Sequence, residues 1–90
     1  MNWTVELAPA AVKEIDKLDP QVSQRIRRFL VRLSSLENPR GLGEALHGSK
    51  LGELWKYRVG DFRLICSIED DRLIVLVLRV GNRREIYKRV

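Results

Sequence analysis

The sequence predicts a two-layer α+β domain in which an antiparallel helix hairpin packs on one face of a small sheet. Three observations support this prediction: the chain has only 90 residues, one long segment repeats apolar residues at helical spacing, and three strand-like segments follow it. A chain of this length buries one core, so we treat residues 1–90 as a single domain. With an N-terminal strand, the expected order is β-α-α-β-β-β and a short C-terminal tail.

The N-terminal segment is predicted to form a strand followed by a helix. Apolar and polar residues alternate over residues 2–7, as in a half-buried strand. Pro9 suits the first turn of a helix, where its missing N–H costs nothing. Val12, Ile15 and Leu18 then recur at helical spacing, so we expect them to face the core.

The second helix has the clearest periodicity in the sequence. Asp19 can cap its N-terminus, and Pro20 fits its first turn. The apolar residues at i, i+4, i+7, i+8 and i+11 are Val22, Ile26, Phe29, Leu30 and Leu33. The opposite face carries Arg25, Arg28 and Arg32. Asn38 and Pro39 stop this helix, and the glycines within residues 37–49 predict a surface loop.

Three further strands are expected in the C-terminal half. They are predicted over residues 54–59, 62–68 and 72–80, with turns at 60–61 and 70–71 and a break at 81–82. Apolar residues on both faces of residues 73–78 indicate a central strand that is covered on both sides. The three strands are expected to form an antiparallel meander that completes the sheet.

A two-residue turn fixes the register of the first hairpin. Val59 then lies opposite Phe62 and Arg58 opposite Arg63, and cross-strand partners share one face. The apolar face, which we assign to the helices, contains Trp55, Tyr57, Val59, Phe62, Leu64 and Cys66. Lys56, Arg58 and Arg63 share the other face, where opposed like charges destabilise a sheet by up to about 1 kcal/mol. A bound anion would remove this repulsion; the alternative is a solvated face with its cations splayed into water.

The charge distribution indicates the class of partner. The net charge is +5, and the excess lies in residues 21–40 and 79–90, each with five basic residues and one acidic residue. Such blocks favour a polyanionic partner, either nucleic acid or an acidic protein segment. A solvated helix face followed by a basic tail would give the same pattern.

Composition also excludes several classes of protein. One cysteine and one histidine are too few for a disulfide framework or a structural zinc site, so we expect no metal and no cofactor. The histidine, His47, is expected to be a surface loop residue and not a catalytic one. The longest apolar run, residues 73–78, is too short for a membrane helix. We therefore expect a cytoplasmic protein that does not bind membranes.

The C-terminal segment combines basic residues with an aromatic ring. Its members are Arg79, Arg83, Arg84, Tyr87, Lys88 and Arg89. Arginine offers a planar fork to phosphate oxygens, and an aromatic ring gives an RNA base a surface on which to stack. These are the residue types of an RNA-binding site.

Four segments, taken in order, resemble the RelE/ParE superfamily of toxins from toxin–antitoxin systems. They are residues 11–18 (AVKEIDKL), 56–59 (KYRV), 61–65 (DFRLI) and 79–87 (RVGNRREIY). The resemblance covers nearly the whole chain. RelE-type members are endoribonucleases that cut mRNA in the ribosomal A site, whereas the ParE branch shares the fold and acts on DNA gyrase.

The resemblance implies a role for each of five residues. Lys56 and Arg58 would hold mRNA phosphates, and Arg63 would stabilise the charged transition state. Arg83 would assist the leaving oxygen. Tyr87 would be placed at the attacking 2′-hydroxyl or stack on a base, and the surrounding cations favour its ionised form.

The resemblance also implies partners, and it leaves three functions open. The partners would be the ribosome, mRNA and a cognate acidic antitoxin encoded by an adjacent gene, with Arg84 and Lys88 as further RNA contacts. The functions are a metal-independent mRNA endonuclease that acts on the ribosome, a non-catalytic gyrase inhibitor, and an inactive RNA-binding relative. The first is favoured because the sequence retains the whole set of Lys56, Arg58, Arg63, Arg83 and Tyr87, which a gyrase inhibitor does not need. Asn82 departs from the pattern, since many relatives have His or Lys there.

Overall fold

In the part of the chain that the structure describes, five strands form one sheet, which two helices cover on one face. The structure is a computed structural model that describes residues 3–46 and 54–82. Its elements are β1 (Thr4–Leu7), α1 (Pro9–Asp16), α2 (Pro20–Ser34), a 3-10 helix (Pro39–Leu42), β2 (Glu44–Leu46), β3 (Leu54–Val59), β4 (Phe62–Glu69) and β5 (Ile74–Asn82). The strand order is β1-β5-β4-β3-β2. The predicted α+β class is confirmed, and none of the helices in the described ranges is long and apolar enough to span a membrane.

The sheet is mixed rather than purely antiparallel. The predicted meander β3-β4-β5 is antiparallel, and β2 joins β3 in the same sense. The first strand, β1, pairs with β5 in parallel. β5 is therefore an interior strand as predicted, although β4 holds the central position.

The core lies between the sheet and the two helices. The predicted apolar face of the β3–β4 hairpin is confirmed: Tyr57, Val59, Leu64 and Cys66 are buried, and Trp55 and Phe62 pack against them half-buried. The predicted core residues of α2 pack into the same cluster, with Ile26, Leu30 and Leu33 buried and Val22 and Phe29 half-buried. Arg25, Arg28 and Arg32 are exposed on its opposite face.

The core-facing stripe of α1 differs from the prediction. Val12 is 39% exposed, and Ala11 is buried together with Ile15. Ala11 and Ile15 stand one turn apart on the side of α1 that packs against β5. A valine next to that stripe therefore points to solvent. At the start of α2, Asp19 occupies the N-cap position, but its side chain makes no capping hydrogen bond.

The turn between β4 and β5 is longer than predicted. It spans residues 70–73, and Leu73 adopts a φ of 53°, in the left-handed region. As a result β5 begins at Ile74 instead of residue 72. Gly81 and Asn82 do not break the strand, because they pair with Arg63 and Phe62 of β4.

The predicted loop over residues 37–49 contains ordered elements in its described part. The side chain of Asn38 accepts a hydrogen bond from the backbone nitrogen of Arg40 and so starts the 3-10 helix. Pro39 is buried, and β2 extends the sheet from Glu44. This segment is therefore part of the packed structure. Residues 47–53 and the tail from residue 83 lie outside the described residues.

A carboxylate on α1 anchors the end of β5. Glu14 Oε1 accepts hydrogen bonds from Arg79 Nε at 3.1 Å and from the Val80 backbone nitrogen at 3.0 Å, and Oε2 accepts from Arg79 Nη2 at 3.0 Å. β1 pairs with β5 only as far as Val77. Beyond the end of β1, the Glu14 carboxylate therefore accepts the hydrogen bond from the Val80 backbone N–H in place of a neighbouring strand. These contacts also raise the pKa of Arg79, chiefly through the hydrogen bonds to Glu14.

We expect Glu14→Ala to lower the free energy of unfolding by about 2 kcal/mol, because it leaves the Val80 N–H and a half-buried guanidinium without their acceptor. The matched control is Asp16→Ala on the same helix, whose pair with Arg27 is exposed and 3.8 Å long. This control variant should lower the free energy of unfolding by no more than about 0.5 kcal/mol. Urea unfolding followed by circular dichroism measures both, and equal losses would show that the Glu14 contacts add nothing specific.

Candidate functional site

Three of the predicted site residues line one cavity. The cavity has a volume of about 230 Å³ and lies between β3, the start of β4 and the segment that leads into β2. Its lining residues are Leu42, Gly43, Glu44, Lys56, Tyr57, Arg58 and Arg63. The structure therefore brings Lys56, Arg58 and Arg63 together, as the hairpin register predicts.

Two arginines face each other across the β3–β4 hairpin. Arg58 and Arg63 are direct cross-strand partners. Arg58 is exposed, whereas Arg63 is half-buried and donates from Nη1 to the carbonyl oxygens of Gly60 at 3.4 Å and Phe62 at 3.3 Å. Within residues 3–46 and 54–82, no carboxylate pairs with either arginine. Like charges at this spacing repel, so the pair favours a bound anion.

Glu44 is the carboxylate in this cavity, and the sequence analysis did not identify it. It is the cross-strand partner of Lys56, and its Oε2 lies 3.5 Å from Lys56 Nζ. This pair offsets one of the three cations. An ionised carboxylate can also accept a proton, so Glu44 is a candidate base. β2 has only three residues, which is too short for an alternating pattern to predict a strand. Without that strand, the sequence gives no reason to expect Glu44 beside Lys56.

Tyr57 supports the cavity from behind. Its ring is 1% exposed, and its hydroxyl donates to the Pro39 carbonyl at 2.9 Å. Burial is the main cause of a raised pKa for Tyr57, so the phenol stays protonated and keeps this bond. Gly43 lies against the same ring, since a Cβ there would stand 2.7 Å from Tyr57 Cε1 and 3.0 Å from the Lys56 carbonyl. Only a glycine lets the chain approach β3 this closely.

An arginine holds the 3-10 helix that forms one wall of the cavity. Arg40 donates two hydrogen bonds to Asp70, at 2.9 and 2.7 Å, and its guanidinium carbon lies 5.5 Å from the centre of the Trp55 ring. Hydrogen bonding from Arg40 is the main cause of a lowered pKa for Asp70. The 3-10 helix is thereby tied to the β4–β5 turn and to β3. These contacts fix the position of Leu42 and Gly43, which end the 3-10 helix and line the cavity together with Arg58.

The remaining residues considered in the sequence analysis lie either outside the described residues or on β5. Arg83, Arg84, Tyr87 and Lys88 lie outside the described residues, as does His47. Asn82 ends β5 opposite Phe62. Arg79 lies on β5, where Glu14 engages the Nε and Nη2 edge of its guanidinium. The sequence alone groups Arg79 with the basic tail, because its partner Glu14 is 65 residues away and no local pattern connects the two.

Two other kinds of chemistry find no support in the described part of the chain. No three side chains of the metal-binding types His, Cys, Asp and Glu come together there. Cys66 is buried, and burial raises the pKa of its thiol, which keeps it protonated. A neutral buried thiol is a poor nucleophile.

The family model of the ParE toxin of type II toxin–antitoxin systems matches residues 5–87. The chain is 32% identical to toxin RelG of Mycobacterium tuberculosis, over 99% of this chain and 100% of that protein. It is 30% identical to the mRNA interferase toxin RelE of Escherichia coli, over 97% and 92% respectively.

Solved structures show the same fold. The toxin–antitoxin complex RelBE2 of Mycobacterium tuberculosis contains a chain that superposes with a TM-score of 0.81 at 28% identity, covering 92% of this chain and 100% of that one. A free mutant form of Escherichia coli RelE superposes with a TM-score of 0.72 at 25% identity, covering 100% and 99%. With a family match over nearly the whole length and relatives of equal size, this chain belongs to the RelE/ParE superfamily of toxins from type II toxin–antitoxin systems.

Proposed function

We propose that this toxin is a metal-independent endoribonuclease that cleaves translated mRNA on the ribosome. The observation that supports it most is the pairing of Arg58 with Arg63 in an open cavity, where neither has a carboxylate partner among the described residues. A relative that is named an mRNA interferase, and is covered over 92% of its length, supports the same reaction class. The planar forks of two such arginines match the oxygens of a phosphodiester.

The cavity supplies what phosphodiester cleavage by the RNA 2′-hydroxyl requires. The attacking hydroxyl loses a proton, the phosphorus gains a fifth oxygen as the bond to the 5′-oxygen breaks, and that oxygen takes up a proton as it leaves. Arg63 lines the cavity, and its Nη1 donates to two backbone carbonyl oxygens, so its guanidinium is assigned to the charge that develops on the phosphate. Lys56 and Arg58 bind the flanking phosphates.

The proton transfers are assigned from the family pattern. Tyr87 takes the proton from the 2′-hydroxyl, and the leaving 5′-oxygen takes its proton from water while Arg83 stabilises its charge; Arg84 and Lys88 bind further along the RNA. Glu44 is a second candidate for the base, because it lines the cavity next to Lys56. Arginine does not titrate near neutral pH, so Arg63 acts only through charge and hydrogen bonds. A site of this kind depends on the ribosome to orient the mRNA for in-line attack.

Mapping RNA and DNA ends after induction in cells tests this proposal. Primer extension on a translated mRNA should reveal new 5′-ends inside the coding region, and a copy of the same mRNA without a start codon should remain intact. The family model carries the name of the ParE branch, so inhibition of DNA gyrase is the second candidate. Arrested replication with broken DNA and intact mRNA would establish that candidate and rule out the nuclease.

We also propose that an acidic antitoxin binds this chain and covers its cationic surface. Related toxins have been solved as RelB–RelE complexes, and the net charge of +5 favours an acidic partner. Coexpression with the adjacent gene and purification through a tag on one protein should recover both at moderate salt. Recovery of the tagged protein alone would contradict the proposed partner.

A further inference from the structure

The described arginines divide into those with a carboxylate partner and those without one. The paired ones are Arg27 with Asp16, Arg40 with Asp70, Arg72 with Glu69 and Arg79 with Glu14. Within residues 3–46 and 54–82, the ones without a carboxylate inside 4.0 Å are Arg25, Arg28, Arg32, Arg58 and Arg63. Arg58 and Arg63 belong to the cavity. The other three lie on α2 and have no place in the function proposed above.

One of these α2 arginines reaches the β3–β4 turn. A Cβ built on Gly60 would stand 3.1 Å from Arg25 Nη1 and 3.6 Å from its Cζ, so the guanidinium lies directly against this glycine. Arg63 Nη1 lies 3.4 Å from the carbonyl oxygen of the same residue. Two guanidinium groups, one from each layer of the fold, therefore contact a single turn residue.

The turn depends on having a glycine at this position. Gly60 adopts a φ of 60°, which residues with a side chain rarely adopt. Its missing side chain is also what leaves room for Arg25. The surface around the turn thus contains Arg25 on the α2 side and Arg58 and Arg63 on the cavity side, together with the exposed Asp61 of the turn itself.

We propose that Arg25 binds a phosphate of the RNA strand where it leaves the cavity and passes over the β3–β4 turn. This assignment rests on the proposed function for the identity of the ligand. A backbone that repeats one negative charge per nucleotide fits a row of separate guanidinium groups, and each planar fork matches phosphate oxygens. Arg25 extends the binding surface beyond the scissile phosphate and does not take part in cleavage.

The test is RNA binding as a function of salt concentration. The probe is a single-stranded RNA with 2′-O-methyl riboses, which its own 2′-oxygen cannot cleave, long enough to extend beyond the cavity. For single strands, removing one phosphate contact lowers the slope of log K against log salt by about 0.7. Arg25→Gln should lower the slope by this amount, Arg58→Gln should do the same, and the double variant should lower it by about 1.4. Arg25→Lys, which keeps the charge, should restore the wild-type slope.

Arg32→Gln is the matched control. Arg32 follows Arg25 by two helical turns on the same face of α2, about 10 Å along the helix axis, and is also exposed to solvent. It should leave the slope unchanged. A methylated trinucleotide that fills only the cavity provides a second control, because its binding should depend on Arg58 and not on Arg25.

Each outcome decides between specific alternatives. An unchanged slope for Arg25→Gln, with a lowered slope for Arg58→Gln, overturns the role of Arg25 and leaves the proposed function intact. Equal reductions for Arg25→Gln and Arg32→Gln show a diffuse charge effect and also overturn it. Absence of RNA binding by the wild-type protein overturns the role of Arg25, whereas the proposed function, in which the ribosome orients the mRNA, is decided by the mapping of mRNA ends in cells. If Arg25→Gln instead weakens only the complex with the antitoxin, this surface is a protein interface and the RNA role is overturned.

Discussion

Arg63→Ala is expected to lower the rate of mRNA cleavage by about 10²–10³, because it removes a preorganised donor at the position where charge develops on the phosphate. The half-buried guanidinium lines the cavity and donates to the carbonyl groups of Gly60 and Phe62. Arg63→Lys should recover little activity, since one ammonium group does not reproduce the planar fork. Growth after induction, with primer extension on a translated mRNA, measures both variants at matched expression.

Arg72→Ala is the matched control for this experiment. Arg72 lies in the β4–β5 turn and is exposed, with an exposed Glu69 as its partner at 3.4 Å. It should cleave mRNA at the wild-type rate. Copurification of Arg63→Ala with the antitoxin shows that the variant is folded. Undiminished cleavage by Arg63→Ala would refute the mechanism, and growth arrest without cleavage would favour inhibition of gyrase.

Tyr57→Ala is expected to lower the free energy of unfolding by about 3–5 kcal/mol, as is usual for removing a buried aromatic ring. A domain of this size has a total stability of about 5–15 kcal/mol, so the variant would be close to unfolding. The ring packs at 5.7 Å between centroids against Phe29 and fills the space behind the cavity. Equilibrium denaturation by urea measures the loss.

Two companion variants separate the contributions of Tyr57. Tyr57→Phe keeps the ring and removes only the bond to the Pro39 carbonyl, so it should cost about 1 kcal/mol. Phe62→Ala should cost less than Tyr57→Ala, because Phe62 is half-buried near the hairpin turn. If Tyr57→Ala unfolds at the wild-type denaturant midpoint, the ring does not support the cavity.

Local patterns were sufficient to predict the hairpin at the centre of the site. A two-residue turn allows one register, so Val59 opposite Phe62 and Arg58 opposite Arg63 could be predicted from residues that are only a few positions apart. The alternation of apolar and cationic residues then separated the core face from the exposed face. The helical spacing in α2 was equally reliable, because an apolar stripe can be buried in only one direction.

The errors arose where tertiary contacts compete with local signals. Gly81 and Asn82 are typical of a strand end, but the neighbouring strand β4 supplies partners for both. Residues 37–49 contain three glycines and a proline, which are typical of a loop. Tyr57 nevertheless binds the Pro39 carbonyl and packs against Gly43, which brings this segment alongside β3.

Spacing within short segments was enough to predict the α+β class, the hairpin register and the presence of a cationic sheet face. The neutralisation of individual cations depends instead on contacts that form in the folded chain. Glu14 engages Arg79, Glu44 engages Lys56, and Arg58 and Arg63 keep their charge without a carboxylate partner in the described part of the chain. Charge pairing acts over a few ångströms in space, and residues 65 positions apart come within that distance only when the chain is folded.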